Sequence, residues 1–211
     1  MLRRLSILFL AMLWLQPAAA QATATPGPGP QELMQKAAQQ LLDALEADRE
    51  GFRKEPKRVN VLVDQILLPH FDTQYSAQLV LGTHWRAATA DQRKRFIDAF
   101  YHSLLNKYGA ALAGFTSDRM TILPFRGDLS TGRATVKTEV TTDDGTRVPV
   151  TYSMRATPQG WKAWDVTVEG ISYVKNFQTD FGAEINDKGL EHLIERLETQ
   201  TAGRNATAKA G

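Results

Sequence analysis

Cysteine is missing from all 211 residues. Its absence excludes disulfide bridges, thiolate metal sites, a cysteine nucleophile and a cysteine-linked lipid anchor. Also missing are a Gly-x-Ser-x-Gly elbow, a glycine-rich phosphate cradle and a dinucleotide fingerprint. Those absences weigh against the commonest enzyme classes but leave acid/base chemistry assembled from scattered residues. The four histidines, His70, His84, His102 and His192, share no i,i+3 or i,i+4 pairing, so any metal site would have to be assembled by the fold alone. An excess of charge is lacking too: 25 Lys and Arg face 23 Asp and Glu, and without Arg3 and Arg4 the two signs balance. Nothing electrostatic then favours nucleic acid. The Arg93-Lys94-Arg95 cluster reads as a solvated helix face, with a docking patch as the rarer alternative.

One apolar run stands out, in "MLRRLSILFLAMLWLQPAAAQA". Arg3 and Arg4 form a basic start, Leu5 to Leu15 an apolar stretch, and Ala18-Ala19-Ala20 a small-residue cleavage site, so residues 1–22 read as a secretory signal cut after Ala20 or Ala22. The run is about half of what spans a bilayer, and no other stretch reaches that length. The expectation is an exported, soluble protein of roughly 190 residues, enough for one good-sized core.

"TATPGPGP", residues 23–30, alternates proline and glycine and reads as a flexible leader, while residues 201–211 read as a frayed tail. Residues 31–200 form one domain without linker or repeat. Its first part, 31–115, is helical. Leu33, Ala37, Leu41 and Leu45 recur every four residues behind Pro30, a second helix runs from Pro56 to Pro69, and a short third from Asp72 is closed by Gly82. Thr89 to Gln92 is a capping box opening a long fourth helix whose apolar surface, Phe96 to Tyr108, is too broad for one stripe. From 118 to 170 the period becomes two: Val136, Thr138 and Val140 alternate with Lys137 and Glu139, and Val148, Val150, Tyr152 and Met154 with Arg147, Pro149 and Thr151. Pro149 favours an edge strand or a bulge. Two closing helices fill 173–199, the first with Tyr173, Phe177, Phe181 and Ile185 at steps of four. Helices, a meander of about four strands, then helices make an α+β fold with helices over one sheet face.

The densest aromatic stretch, "GWKAWDVTVEGISYVKNFQTDF" (160–181), surrounds Asp165 and Glu169. Asp165 between Trp164 and Val166 is the one serious catalytic candidate, because desolvation raises a carboxyl toward useful proton-transfer values. The commoner use of such a residue is structural, as a hydrogen-bond acceptor that fixes a turn. Trp85 reads as a helix staple or a ligand contact, and the apolar supply of both halves is compatible with a lined cavity.

Two long segments, "LGTHWRAATADQRKRFIDAFYHSLLNKY" and "VPVTYSMRATPQGWKAWDVTVEGISYVKNFQTDFGAEINDKGLEHLIERL", resemble the MlaC-type proteins, the toluene-tolerance family of periplasmic phospholipid carriers. Leu81, Gly82, Trp85, Arg86, Gln92, Arg93 and Phe96 match one family segment. Trp161, Lys162, Trp164, Asp165, Val166, Val168, Glu169, Gly170, Ile171 and Ser172 match a second. The family usually continues Asn-Tyr-Arg, whereas this chain has Asn176, Phe177 and Gln178. The resemblance implies an NTF2-like sheet packed against a helical subdomain, an apolar cavity holding acyl chains, and no catalytic, metal or cofactor site. It also implies shuttling between an outer-membrane lipoprotein–porin complex and an inner-membrane ABC transporter with its membrane-anchored lipid-binding ring, in maintenance of outer-membrane lipid asymmetry. The expected lining is Val136, Val140, Val148, Val150, Tyr152, Val166, Val168, Tyr173, Phe177 and Phe181, closed by the first and the long helices. The alternative is an exported NTF2-like acid/base enzyme using Asp165.

Overall fold

The computed structural model describes residues 27–114, 116–142 and 144–209. The signal segment 1–22 lies outside them, as does most of the leader. Helix α1 (Pro30–Ala47) opens at proline, whose missing N–H costs nothing in a first turn, and buries Met34, Ala37, Leu41 and Leu45. Asp48 accepts the Gly51 N–H at 3.1 Å and caps α2 (Arg49–Lys54). The expected second helix is irregular. Three residues of tighter 3-10 winding begin it at Pro56–Arg58, α3 (Val59–Leu62) follows, and a π-turn (Val63–Leu67) and a 3-10 turn (Leu68–His70) end it. Pro69 supplies the reason: its ring clashes with the carbonyl four residues back and it donates no hydrogen bond, so the preceding turn widens.

Asp72 accepts the Tyr75 N–H at 3.1 Å and opens α4 (Thr73–Leu81), which stops at Gly82 with φ +53°. After α5 (His84–Ala87) the capping box forms as the sequence requires, with both Thr89–Gln92 hydrogen bonds at 3.1 Å, and starts α6 (Ala90–Tyr108).

Five antiparallel strands follow in simple order: β1 (Met120–Ile122), β2 (Arg133–Thr141), β3 (Arg147–Thr157), β4 (Gly160–Val168) and β5 (Ile171–Ser172). The fifth, two residues long, is the one the sequence reading leaves out. Glu169 (φ +50°) and Gly170 (φ +83°) form the tight turn into it. Pro149 is in the central strand rather than at an edge. It is tolerated because its carbonyl accepts the Glu169 N–H at 3.0 Å, where β4 has already ended, so its missing donor faces a turn instead of a ladder. A bulge beside Ser153 and Met154 leaves Trp164 without a register partner, and the Ser76 hydroxyl, 2.7 Å from the Trp164 carbonyl, satisfies it from α4.

Helices α7 (Tyr173–Lys188) and α8 (Leu190–Lys209) close the chain, α8 continuing through residues where a frayed tail is expected. Three apolar cores result. One joins α4, α6, α7 and α8 around Phe96, Phe100, Phe181, Leu193 and Leu197. A second joins α1, α2 and α3 around Leu45, Phe52 and Val59. A third sits between α1 and the sheet, around Met34, Val136, Met154 and Ala163.

Candidate binding cavity

Between these cores lies a cavity of about 670 Å³. The sheet supplies one wall, Val140, Val148, Val150, Tyr152, Trp164, Val166 and Val168. Helix α6 supplies the opposite one, because Tyr101, Leu104, Leu105 and Tyr108, at i, i+3, i+4 and i+7, share one face while Phe96 and Ala99 turn toward the helical core. That double burial is what its broad apolar surface requires. Tyr173, Val174 and Phe177 of α7 add a third side, and Val63, Leu67 and Leu68 of the irregular helical run add a fourth.

The walls share a direction. Along β3 the lining runs from Val148 to Tyr152, about 13 Å at strand rise, and along α6 from Tyr108 back to Tyr101, about 10 Å at helical rise. One end, with Tyr108, Arg119, Thr141, Thr142 and Tyr173, is the rim, where Tyr108 is 38% exposed and the Tyr108 and Tyr173 rings meet edge-on at 5.7 Å. The other end, with Phe71, Ser76, Tyr101, Tyr152 and Trp164, is the floor.

Its polar groups are few and occupied. Burial pushes the Tyr101 hydroxyl up to about 12, against a hydrogen bond with Ser76 that pulls it down. Burial likewise raises Tyr152, opposed by its bond with Thr138. Both phenols are therefore neutral at ordinary pH. Asp165 is buried, and its Oδ1 accepts the Val174 N–H at 3.0 Å. Ser172 accepts the Lys175 N–H at 3.1 Å, so two side chains cap the N-terminus of α7. Among the described residues no cluster of His, Asp and Glu could hold a metal ion.

Of the residues proposed from sequence, Val140, Val148, Val150, Tyr152, Val166, Val168, Tyr173 and Phe177 line this cavity. Val136 and Phe181 do not, and that is a correction. Val136 is opposite Tyr152 in the β2–β3 register but packs into the core under α1. Phe181 packs against Phe96 and Phe100, at 6.1 and 5.7 Å between ring centres. Steps of four residues advance a helix by about 40° each, so the stripe that begins in the cavity at Tyr173 has rotated into the helical core by Phe181. The first helix is a second correction: α1 covers the sheet and the α2–α3 core, and the run 56–70 closes the cavity in its place. Sequence reasoning also missed Arg119, Thr141 and Thr142 at the rim, which carry no periodic signal.

Trp85 is outside the cavity, under the Arg93 guanidinium at 5.1 Å, with Arg93 Nε donating to its carbonyl at 3.0 Å. Arg95 pairs with Glu191 and Glu198 and so clamps α6 to α8, whereas Lys94 pairs with Asp98 at 3.0 Å on the exposed face of α6 itself. Gln178 is not at the rim either: its Nε2 donates to the Leu79 carbonyl at 3.0 Å, tying α7 to the end of α4.

Fold and cavity together define an α+β protein with a deep apolar interior suited to an apolar ligand. The chain belongs to the MlaC protein family, whose sequence model matches residues 35–199. It is similar to the toluene tolerance protein ttg2D of Pseudomonas putida, 29% identical over 99% of this chain and 93% of that one. It is also similar to the intermembrane phospholipid transport system binding protein MlaC of Haemophilus influenzae, 23% identical over 83% of this chain and 84% of that one. A solved structure, the phospholipid-binding protein of Ralstonia solanacearum in complex with a phospholipid, superposes with a TM-score of 0.76 at 25% identity, covering 83% of this chain and 98% of that one.

Proposed function

We propose that this protein is a periplasmic phospholipid carrier that encloses acyl chains in the 670 Å³ cavity and performs no covalent chemistry on them. The observation that carries the reading is the cavity itself: four sides of aliphatic and aromatic side chains, with hydroxyls and one arginine gathered at the rim. Its size lies within the 300–1,000 Å³ or so of ordinary ligand sites. Two acyl chains present about thirty methylenes, and at about 0.8 kcal/mol each roughly 24 kcal/mol opposes their passage through water unless a protein covers them. The headgroup stays at the rim, where Arg119 and Thr141 bring a cation and a hydroxyl to a phosphate, the Thr142 hydroxyl being held by Asp144 and the Thr146 carbonyl. Family membership and the phospholipid-bound relative support the same ligand class.

We propose further that it shuttles lipid between an outer-membrane lipoprotein–porin complex and an inner-membrane ABC transporter with its lipid-binding ring; the relative named as an intermembrane phospholipid transport system binding protein supports the transport part of this reading. Among the described residues no helix is long and apolar enough to cross a membrane. The acid/base alternative at Asp165 gains no support, since the carboxylate is committed to the first turn of α7. Leu104→Trp tests the cavity. The larger ring takes the space of several methylenes, and losing room for two costs over about tenfold in affinity for vesicle-derived phosphatidylglycerol. Undiminished uptake by a folded Leu104→Trp variant would place the lipid elsewhere.

A further inference from the structure

The floor of the cavity is also the wall of another apolar compartment. Phe71 and Tyr152 line the cavity on one side and pack against the α1–sheet core on the other. The Phe71 backbone is held, since Phe71 bridges Ala163 and the Asp72 N–H donates to the Ala163 carbonyl at 2.7 Å. The Phe71 and Tyr152 side chains thus stand between the cavity and this packed core.

The compartment behind them lies in line with the cavity. One step further along the β2–β3 ladder than Tyr152 comes the pair Ala134 and Met154, with Met34 of α1 packed in the same cluster. Methionines and alanines make this core adaptable, because an unbranched thioether re-packs at low cost. The helical core beside the cavity is of the opposite kind: Phe96, Phe100, Phe177 and Phe181 interlock at ring separations of 5.2 to 6.1 Å. A tail growing longer from the rim therefore meets a stiff wall sideways and a soft one ahead.

We propose that Tyr152 and Phe71 are the stop that sets the acyl-chain length this protein accepts, and that the Met34–Met154 core behind them is the space longer tails would enter. The proposal rests on the carrier reading above. Below the stop, each methylene that gains enclosure tightens binding about fourfold. Affinity measured on the wild-type protein with phosphatidylglycerols differing only in tail length should climb at that rate and then level off. Tyr152→Leu and Phe71→Leu should move the levelling point to longer tails, and should enrich longer tails among lipids that co-purify. Leu193→Ala, which opens the helical core away from the cavity, should lower stability without moving it.

An affinity that climbs through the whole series in wild type overturns the proposal. So does a levelling point that either folded Leu variant leaves in place, or that Leu193→Ala shifts equally. A wild-type protein that binds no member of the series overturns the carrier reading itself, which is a separate result.

Discussion

Asp165 shows what a buried carboxylate in an aromatic nest is for. Its acceptor oxygen meets the Val174 N–H at 3.0 Å, one of the donors a helix leaves unpaired at its start. Asp165→Ala removes that acceptor and the favourable charge at the helix N-terminus, and should cost about 1–3 kcal/mol in urea unfolding. Asp165→Asn keeps an acceptor and should cost under about 1 kcal/mol by the same measure, with bound lipid unchanged in both. Loss of lipid from a folded Asp165→Asn protein would instead give the charge a direct role. Gly82 is the other position where one residue type is required: its φ of +53° suits glycine, and an added Cβ would come 3.0 Å from Gln178 Nε2. Gly82→Ala should lower stability by about 1–3 kcal/mol, read from the urea midpoint. At this scale the sequence was informative about identity more than placement. It marked Asp165 as structural or catalytic without showing which, because the deciding partner, Val174, is across a turn.

Among elements, the closing pair of helices is tied down by charge. The Arg196 guanidinium bonds Glu184 at 2.8 and 2.6 Å and holds its carboxyl below the ordinary value of 4.5. Gln92 and Arg95 lower Glu191, and Arg95 lowers Glu198. A carboxyl depressed in the folded state stabilises above its unfolded pKa and loses that contribution as pH falls through its folded one. Melting temperature should therefore decline as pH drops below about 4.5, and Glu184→Gln should start lower at neutral pH and decline less. An identical decline in both proteins would assign the acid sensitivity elsewhere. Strand periodicity made the existence and alternation of β2 and β3 legible, since one apolar face imposes alternation, while their ends differ slightly from the pattern. It could not reveal β5, too short to show a period, or the bulge at Trp164, which breaks the period. The π-turn before Pro69 was equally hidden, because helical spacing of apolar residues does not distinguish 3.6 residues per turn from a locally wider winding.

On the scale of the whole molecule, the α+β order, the helices over one sheet face and most of the sheet wall of the cavity were readable from pattern and family resemblance. What pattern could not divide was the inner face of the sheet. Val136 and Val140 have the same parity on β2, yet one belongs to the α1 core and the other to the cavity, because helices that cover different lengths of the same strand decide it. Phe177 and Phe181 are divided in the same way by helical drift. The proposed cargo of the cavity is phospholipid, held by its tails. Native mass spectrometry of the protein purified from a bacterial periplasm decides this: a folded chain should appear with phospholipid bound, released as intact lipid on activation in the gas phase. A bare chain that also fails to take phospholipid from vesicles would contradict it.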